Sequence, residues 1–269
     1  MQNQAQHFHK TRIAPTPSGY LHLGNVLSFS LTAALAKKTD AKILLRIDDL
    51  DRERANKLYI HDIFDTLNFL AIPWHEGPLN MHDYESNWSQ VHRMPIYEKA
   101  LQHLKDNNAI FACTCSRTQM QSCTCRQKAL PFDAANTCWR LITDNQAVAI
   151  KTLNNETIRA SLPDAMHNFV VKKKDGYPAY QLASLIDDLH FGIDLVVRGE
   201  DLWPSTIAQH YLALLLDMPE FQKITFHHHA LIMASADKKL SKSAGATSIN
   251  YLRKQGKKQV DIYTAIAGL

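Results

Sequence analysis

Apolar and polar residues follow one another along the first hundred positions with the spacing of alternating strands and helices. Arg12–Pro15 predicts the end of a strand, and the loop after it leads to a helix over Val26–Lys38. The apolar run Ala41–Ile47 predicts a parallel strand that is buried on both faces. The chain therefore begins as an α/β fold. The inner face of the first helix is expected to carry Leu27, Leu31, Ala34 and Leu35.

Further elements extend this pattern to the end of the chain. Asp51 is expected to cap a second helix, Leu195–Val197 predicts a buried strand, and Pro204 opens a late helix. Buried strands near both ends predict one doubly wound parallel sheet. Residues 111–180 break the alternation, so we expect an α+β insertion there. The expected division is 1–110 for the first half of the α/β domain, 111–180 for the insertion and 181–269 for the second half.

Composition limits what can accompany this sheet. With 269 residues, 45% of them hydrophobic, the chain can bury a full core, and no large C-terminal module is expected. The net charge of +4 suits a polyanionic partner and also many ordinary proteins. The segment Met1–His9 lacks the apolar core of a signal peptide, and no run approaches the ~20 apolar residues of a membrane span. We expect a soluble, cytoplasmic protein with no membrane partner.

Four cysteines are crowded into two Cys-Thr-Cys turns. Cys113 and Cys115 form the first turn, and Cys123 and Cys125 form the second. Four thiolates can close a tetrahedral zinc site, and a closed site of this kind is structural. Cys138 lies in a predicted strand and is the alternative fourth ligand.

Two short segments carry residues suited to nucleotide chemistry. Pro17–Asn25 places His22, Gly24 and Asn25 at the start of the first helix, where the helix N-terminus favours anions. Near the end of the chain, Lys239 and Lys242 lie in a Ser/Gly-rich loop that can close over phosphates. The alternatives are that His22 only caps the helix and that the lysines form a solvated turn.

These two segments resemble the HIGH and KMSKS elements of class I aminoacyl-tRNA synthetases. Three further segments, Arg12–Gly19, Arg46–Asp51 and Arg198–Leu202, resemble landmarks of the glutamyl-tRNA synthetases. The resemblance implies a class I Rossmann-like doubly wound sheet with a zinc-bearing insertion. It also implies glutamate activation with ATP and Mg²⁺. The catalytic residues would be His22, Asn25, Lys239 and Lys242, and His22, Gly24 and Lys242 would bind ATP.

Among truncated relatives the chain is similar to the glutamyl-Q tRNA(Asp) synthetases. That family implies transfer of glutamate to queuosine in the anticodon of tRNA(Asp), by an enzyme that we expect to be monomeric. Its cysteine pattern includes a tyrosine where this chain has Gln121, so Cys123 could supply the fourth ligand. Open alternatives are a ligase for a tRNA acceptor end, an adenylylating enzyme with a non-RNA acceptor, and an inactive RNA-binding protein.

The charges of glutamate indicate what its pocket requires. Two carboxylates call for guanidinium groups, and we expect Arg12 and Arg198 to supply them. By resemblance Arg12, Ala14 and Thr16 lie along the amino acid, Tyr180 closes the pocket and Arg198 pairs with a carboxylate. Asp48 would face the ammonium, where the family has glutamate. The alternative is a strand-end ion-pair network of Arg46, Asp48 and Asp51.

Two basic or histidine-rich runs are ambiguous. Successive residues of His227–His229 would point to opposite faces of a strand, so a pocket wall or ordinary packing is favoured over a metal site. The run Lys172–Lys174 predicts a solvated hairpin turn, with phosphate contact as a hypothesis.

Overall fold

The computed structural model describes residues 6–116, 118–235, 238–239 and 248–267. Among the helices of these ranges, none combines the length and the apolarity needed to cross a bilayer. The strands of the described residues are β1 (Lys10–Ile13), β2 (Lys42–Leu45), β3 (Ile110–Cys113), β4 (Cys138–Leu141), β5 (Val148–Thr152), β6 (Thr157–Ala160), β7 (Val170–Lys172), β8 (Leu195–Gly199), β9 (Thr225–His229), β10 (Met233–Ser235) and β11 (Lys238–Lys239). Its α-helices are α1 (Leu23–Thr39), α2 (Lys57–Phe69), α3 (Met81–Asp83), α4 (Met94–Asp106), α5 (Cys125–Lys128), α6 (Tyr180–His190), α7 (Trp203–Leu215), α8 (Ile249–Lys254) and α9 (Gln259–Ala267).

The chain divides into two compact units. The first comprises Met1–His92, Gly192–Leu202 and Thr225–Leu269, and the second comprises Arg93–Phe191 and Trp203–Ile224. The expected division of the chain after residues 110 and 180 stays a prediction.

The first unit is built on a parallel sheet with the strand order β2-β1-β8-β9. All five residues of β8 are buried, as expected for a strand that is covered on both faces. Arg12 pairs with Leu44, and Arg198 pairs with His228. The predicted α/β fold with a parallel sheet is thereby confirmed.

Two local predictions about helices in this unit are wrong. On α1 the buried apolar residues include Val26, Phe29 and Ala36, whereas the expected inner face is only partly buried or exposed. Apolar residues occur on all sides of α1, so its periodicity does not select a face. Asn56, not Asp51, caps α2, because its side chain accepts a hydrogen bond from the backbone nitrogen of Leu58 at 2.9 Å.

The second unit contains the antiparallel sheet β3-β4-β7, the hairpin β5–β6 and the packed helices α4, α6 and α7. A buried polar network joins α6 to the start of α4. The Asp187 carboxylate accepts from Arg93 Nε at 2.7 Å and from the Tyr97 hydroxyl at 2.6 Å. After β7 the chain makes the hairpin turn predicted for the lysine run, and within it Lys173 pairs with Asp175 at 2.5 Å.

Candidate active site

The carboxyl ends of the four parallel strands carry most of the predicted substrate residues. Ala14 and Thr16 follow β1 and are partly exposed, Asp48 follows β2, and Arg198 and His228 lie near the ends of β8 and β9. Parallel strands bring their carboxyl ends to one edge of a sheet, where ligands of open α/β sheets bind.

Arg12 and Arg198 lie on the same face of this sheet. Thr11 pairs with Leu195, and the side chains of paired residues lie on the same face. Arg12 is one residue after Thr11 and Arg198 is three residues after Leu195, so both point to the opposite face. The two side chains are buried, with 5% and 4% exposure. Arg12 Nη1 donates to the carbonyl of Val197 at 3.3 Å, and the Arg198 guanidinium lies 5.1 Å above the ring of Phe226. Two buried guanidinium groups on one face form a site suited to an anion with several oxygens.

His228 belongs to the same face. Its ring stacks on Phe226, with centroids 6.2 Å apart and planes 10° apart, and its position pairs with Arg198. Burial, followed by the positive charge of Arg198, lowers the pKa of His228 to about 3. The imidazole is therefore neutral at physiological pH, so it adds no positive charge beside Arg12 and Arg198.

His229 points to the other face, as the alternation of the strand predicts. Its Nε2 accepts from the hydroxyl of Ser28 in α1 at 2.5 Å, and its Nδ1 donates to the carbonyl of Ala230 at 2.8 Å. Burial lowers the pKa of His227. The three histidines thus divide between two faces of β9, so they do not form a shared metal site.

Asp48 is held in a two-point ion pair by Arg46. The Arg46 Nε donates to Oδ1 at 2.7 Å and Nη2 donates to Oδ2 at 3.1 Å, and both side chains are buried. Asp51 takes no part, because it pairs with Arg54. The ion-pair alternative therefore describes Arg46 and Asp48 but not Asp51. Whether Asp48 faces a substrate ammonium stays a prediction.

Asp49, beside Asp48, is a residue whose part in this region the sequence patterns did not indicate. Its fully buried carboxylate accepts from the hydroxyls of Tyr84 and Ser89, each at 2.6 Å, and from the backbone nitrogen of Gln90 at 2.8 Å. Burial and this carboxylate raise the pKa of Tyr84. Asp49 thereby anchors the turn that carries Asp48. An acid directly after a buried strand is the only local signal for it.

His22 and Asn25 form a capping box at the start of α1. His22 Nδ1 accepts from the backbone nitrogen of Gly24 at 3.1 Å, and the Asn25 side chain accepts from the backbone nitrogen of His22 at 3.1 Å. A side chain at position 24 would come within 3.0 Å of the His22 ring, so glycine fits the position. Since Nδ1 accepts, the proton of the neutral ring lies on Nε2.

Both ends of the lysine-rich segment, residues 238–248, are anchored in the first unit. Lys238–Lys239 pairs with Met233–Ser235, and Ser248 forms a bridge with His22. Lys242 and the side chain of Lys239 lie outside the described residues. Tyr180 is the first residue of α6 in the second unit, where it is 39% exposed. The predicted roles of these three residues are not tested by their placement.

Four cysteines of the second unit lie close enough to share a metal ion. The sulfurs of Cys113, Cys115, Cys123 and Cys125 all lie within 4.8 Å of one another. Two of the pairs, 113–123 and 115–125, are 3.7 Å and 3.6 Å apart. A tetrahedron with Zn–S bonds of about 2.3 Å has edges of about 3.8 Å, so the four sulfurs fit zinc in size and in chemistry.

The surroundings of these sulfurs also separate them by acidity. A backbone hydrogen bond from Thr114 lowers the pKa of Cys125 to about 6, whereas a hydrogen bond to Cys125 raises the pKa of Cys115 to about 12. Cys138 lies outside the set: it pairs with Cys113 across β3 and β4, and its sulfur donates to the Cys113 carbonyl at 3.2 Å. The geometry therefore favours Cys123 over Cys138 as the fourth ligand.

Comparisons with known proteins agree with this architecture. The family model described as "tRNA synthetases class I (E and Q), catalytic domain" matches residues 9–163 and 126–268. The Glutamyl-Q tRNA(Asp) synthetase of Rhodobacter capsulatus is 30% identical in an alignment of 284 positions, gaps included, that covers 94% of this chain and 97% of that protein.

Longer proteins match as well. Glutamate–tRNA ligase 2 of Syntrophus aciditrophicus is 28% identical over 92% of this chain and 54% of the ligase. The chain thus spans about half the length of such ligases. A crystal structure of a glutamate tRNA ligase from Elizabethkingia meningosepticum in complex with its amino acid superposes with a TM-score of 0.71. That alignment is 22% identical and covers 89% of this chain and 53% of the ligase, so it shows a shared fold.

Proposed function

Because the chain belongs to the catalytic-domain family of the class I tRNA synthetases for glutamate and glutamine, we propose that it activates glutamate with ATP and passes the glutamyl group to a tRNA. The observation that carries the proposal is one sheet edge in the first unit. There, two buried arginines on one face accompany the capped turn of His22. This edge supplies cations for a dicarboxylate and donors for a nucleotide within one compact unit.

The amino-acid half of the site rests on charge. Arg12 and Arg198 bind the two carboxylates of glutamate, since planar guanidinium groups match carboxylates with paired hydrogen bonds. Ala14 and Thr16 line the bound substrate. Asp48, whose carboxylate is paired with Arg46, supplies the acid that faces the ammonium.

The nucleotide half rests on the start of α1 and on the lysine-rich segment. His22 donates from Nε2 to a phosphate or ribose oxygen, because Nδ1 is held as an acceptor by Gly24. Asn25 and the helix N-terminus favour the same anionic ligand. Lys239 and Lys242 neutralise charge on the phosphates, and Mg²⁺ enters bound to ATP.

The chemistry needs positioning rather than a protein nucleophile. A glutamate carboxylate oxygen attacks the α-phosphorus of ATP, and the bond to the β-phosphate oxygen breaks to release pyrophosphate. The protein aligns the two anions and stabilises the charge that spreads over the phosphates. The glutamyl-adenylate then transfers its acyl group to a hydroxyl of the acceptor RNA and releases AMP.

Zinc would be held by the four clustered cysteines. A closed site of four thiolates leaves no coordination position for substrate, so its contribution is to fix the two Cys-Thr-Cys turns relative to each other.

We propose queuosine in the anticodon of tRNA(Asp) as the acceptor. The support is the Rhodobacter protein of that name, which this chain matches over nearly its whole length. The second candidate is the acceptor end of tRNA(Glu), which the names of the longer ligases favour.

Amino-acid-dependent ATP–pyrophosphate exchange tests the proposal, run over twenty amino acids with and without tRNA. We expect exchange with glutamate in the absence of RNA, followed by transfer of labelled glutamate to tRNA(Asp) that contains queuosine. Transfer to tRNA(Glu) instead would select the second candidate. If none of the twenty amino acids supports exchange, with or without tRNA, adenylate formation is refuted.

A further inference from the structure

A buried carboxylate that the proposed mechanism does not use lies beneath the nucleotide half of the site. Asp62 projects inward from α2 and is only 3% exposed. Its Oδ2 accepts a hydrogen bond from the backbone nitrogen of Leu21 at 3.0 Å, and the side chain of Asn250 in α8 interacts with the same carboxylate. Burial raises the pKa of Asp62, whereas these two polar neighbours lower it.

The partners of Asp62 come from the two segments that would bind ATP. Leu21 precedes His22, and Asn250 lies two residues after Ser248, at the end of the lysine-rich segment. The two segments also pair directly. The backbone nitrogen of Ile249 donates to the carbonyl of Leu21 at 2.8 Å, and His22 bridges to Ser248. Both backbone groups of Leu21 are thus occupied, one by α2 and one by the start of α8.

We propose that Asp62 is a positioning residue for ATP, which clamps the His22 turn to the chain that follows the lysine-rich segment. The proposal rests on the proposed function, because it takes these two segments as the nucleotide site. Asp62 touches no substrate. It fixes the position of His22 relative to the end of the segment that carries Lys242. A displacement of about 1 Å between groups that position a substrate is enough to slow the reaction, here adenylate formation.

Packing alone does not account for a carboxylate at this position. A buried charge costs free energy unless polar groups compensate for it, and an apolar side chain of similar size would fill the same space more cheaply. The polar groups around Asp62 are those that join the two segments, and they compensate its charge only in part, because Oδ1 is buried without a hydrogen-bond partner among the described residues. Its neighbour Asp65 lies on the same helix and is exposed, so it provides a matched control.

The test compares Asp62→Ala, Asp62→Asn and Asn250→Ala with Asp65→Ala in the full chain. The dissociation constant of α,β-methylene-ATP is measured by calorimetry without amino acid, and both Michaelis constants are measured in the exchange assay. We expect Asp62→Ala to weaken nucleotide binding about 10- to 100-fold, as for loss of a hydrogen bond to a charged group. The Michaelis constant for glutamate should stay within about twofold, because the amino-acid half is untouched.

The conservative and partner variants separate positioning from folding. Asp62→Asn keeps an acceptor for Leu21 and should recover most of the nucleotide affinity. Asn250→Ala should weaken nucleotide binding, and its effect should be less than additive with that of Asp62→Ala.

Three outcomes would overturn the clamp. In the first, Asp62→Ala binds the nucleotide as Asp65→Ala does. In the second, a smaller fraction of the variant's molecules is active but its binding constants are unchanged, which is the result expected for a purely structural residue. If Asp62→Ala does not fold, normal nucleotide binding by Asn250→Ala is the third. Absence of glutamate-dependent exchange in the unaltered chain refutes the proposed function only, since the nucleotide dissociation constants still decide the role of Asp62.

Discussion

Replacing Cys123 with serine tests the zinc site most directly. The 113–123 and 115–125 sulfur pairs are separated by 3.7 Å and 3.6 Å, close to the roughly 3.8 Å edge of a zinc–thiolate tetrahedron. A hydroxyl at position 123 replaces a thiolate with a much poorer ligand. Structural zinc sites bind with about 10–16 kcal/mol, so an equal share per ligand is about 2.5–4 kcal/mol. Zinc affinity should fall by about two to three orders of magnitude.

The assay is zinc content by mass spectrometry, with competition against a chromogenic chelator to give relative affinities. The unaltered protein should carry one zinc per chain. Cys138→Ser is the control, because Cys138 is more buried than Cys123 and donates its hydrogen bond to the Cys113 carbonyl. A serine hydroxyl can keep that hydrogen bond, so this variant should retain its zinc.

Two results would refute the reasoning. If Cys138→Ser loses zinc while Cys123→Ser keeps it, the fourth ligand has been misassigned. If the unaltered protein, purified with zinc present, holds no metal, the cluster is a set of packed thiols.

Three further predictions follow from buried charges. Asp187→Asn should lower the free energy of unfolding by about 3–5 kcal/mol, because it breaks a buried ion pair; Asp217→Asn, whose side chain is 84% exposed, should change it by less than about 0.5 kcal/mol in the same urea titration. Arg198→Lys should raise the Michaelis constant for glutamate about 10- to 100-fold and leave that for ATP unchanged, because lysine lacks the guanidinium fork; equal constants would remove Arg198 from the pocket. The folded-state pKa of His228, about 3, lies below the unfolded value of about 6.5, so its contribution to stability is lost as the pH falls from 7 toward 3. Urea midpoints between pH 7 and 4.5 should therefore fall less for His228→Gln than for the unaltered chain.

The periodicity of apolar residues was sufficient to predict the parallel sheet, and the spacing of the cysteines was sufficient to predict the four-cysteine cluster. A strand buried on both faces must be apolar throughout, so runs such as Ala41–Ile47 and Leu195–Val197 indicate parallel strands without reference to any partner. Each Cys-Thr-Cys turn is local, so the sequence identifies the four sulfurs, but the short pairs 113–123 and 115–125 join one turn to the other and depend on how the turns pack. The capping residues around His22 are also readable, because a cap involves neighbours within four positions.

Periodicity failed where the deciding contact is distant in sequence. The inner face of α1 depends on which side meets the sheet. The cap of α2 failed for a local reason: residues 52–54 form a turn, so the helix begins only at Lys57 and Asn56 caps it instead of Asp51. The ion pair of Asp48 with Arg46 was one of two predicted alternatives, and the coordinates show that ion pair, whereas a contact of Asp48 with a substrate ammonium stays a prediction.

The sequence by itself determined the elements and the kinds of chemistry that they carry: parallel strands, a phosphate-suited helix start and clustered thiols. Tertiary structure alone decided which groups act together. Arg198 meets His228 because β8 and β9 pair, and Asp62 joins Leu21 to the region of Asn250 because α2 packs beneath both. Local patterns reflect the interactions of a residue with its near neighbours, whereas burial, charge compensation and pKa depend on residues tens to hundreds of positions away.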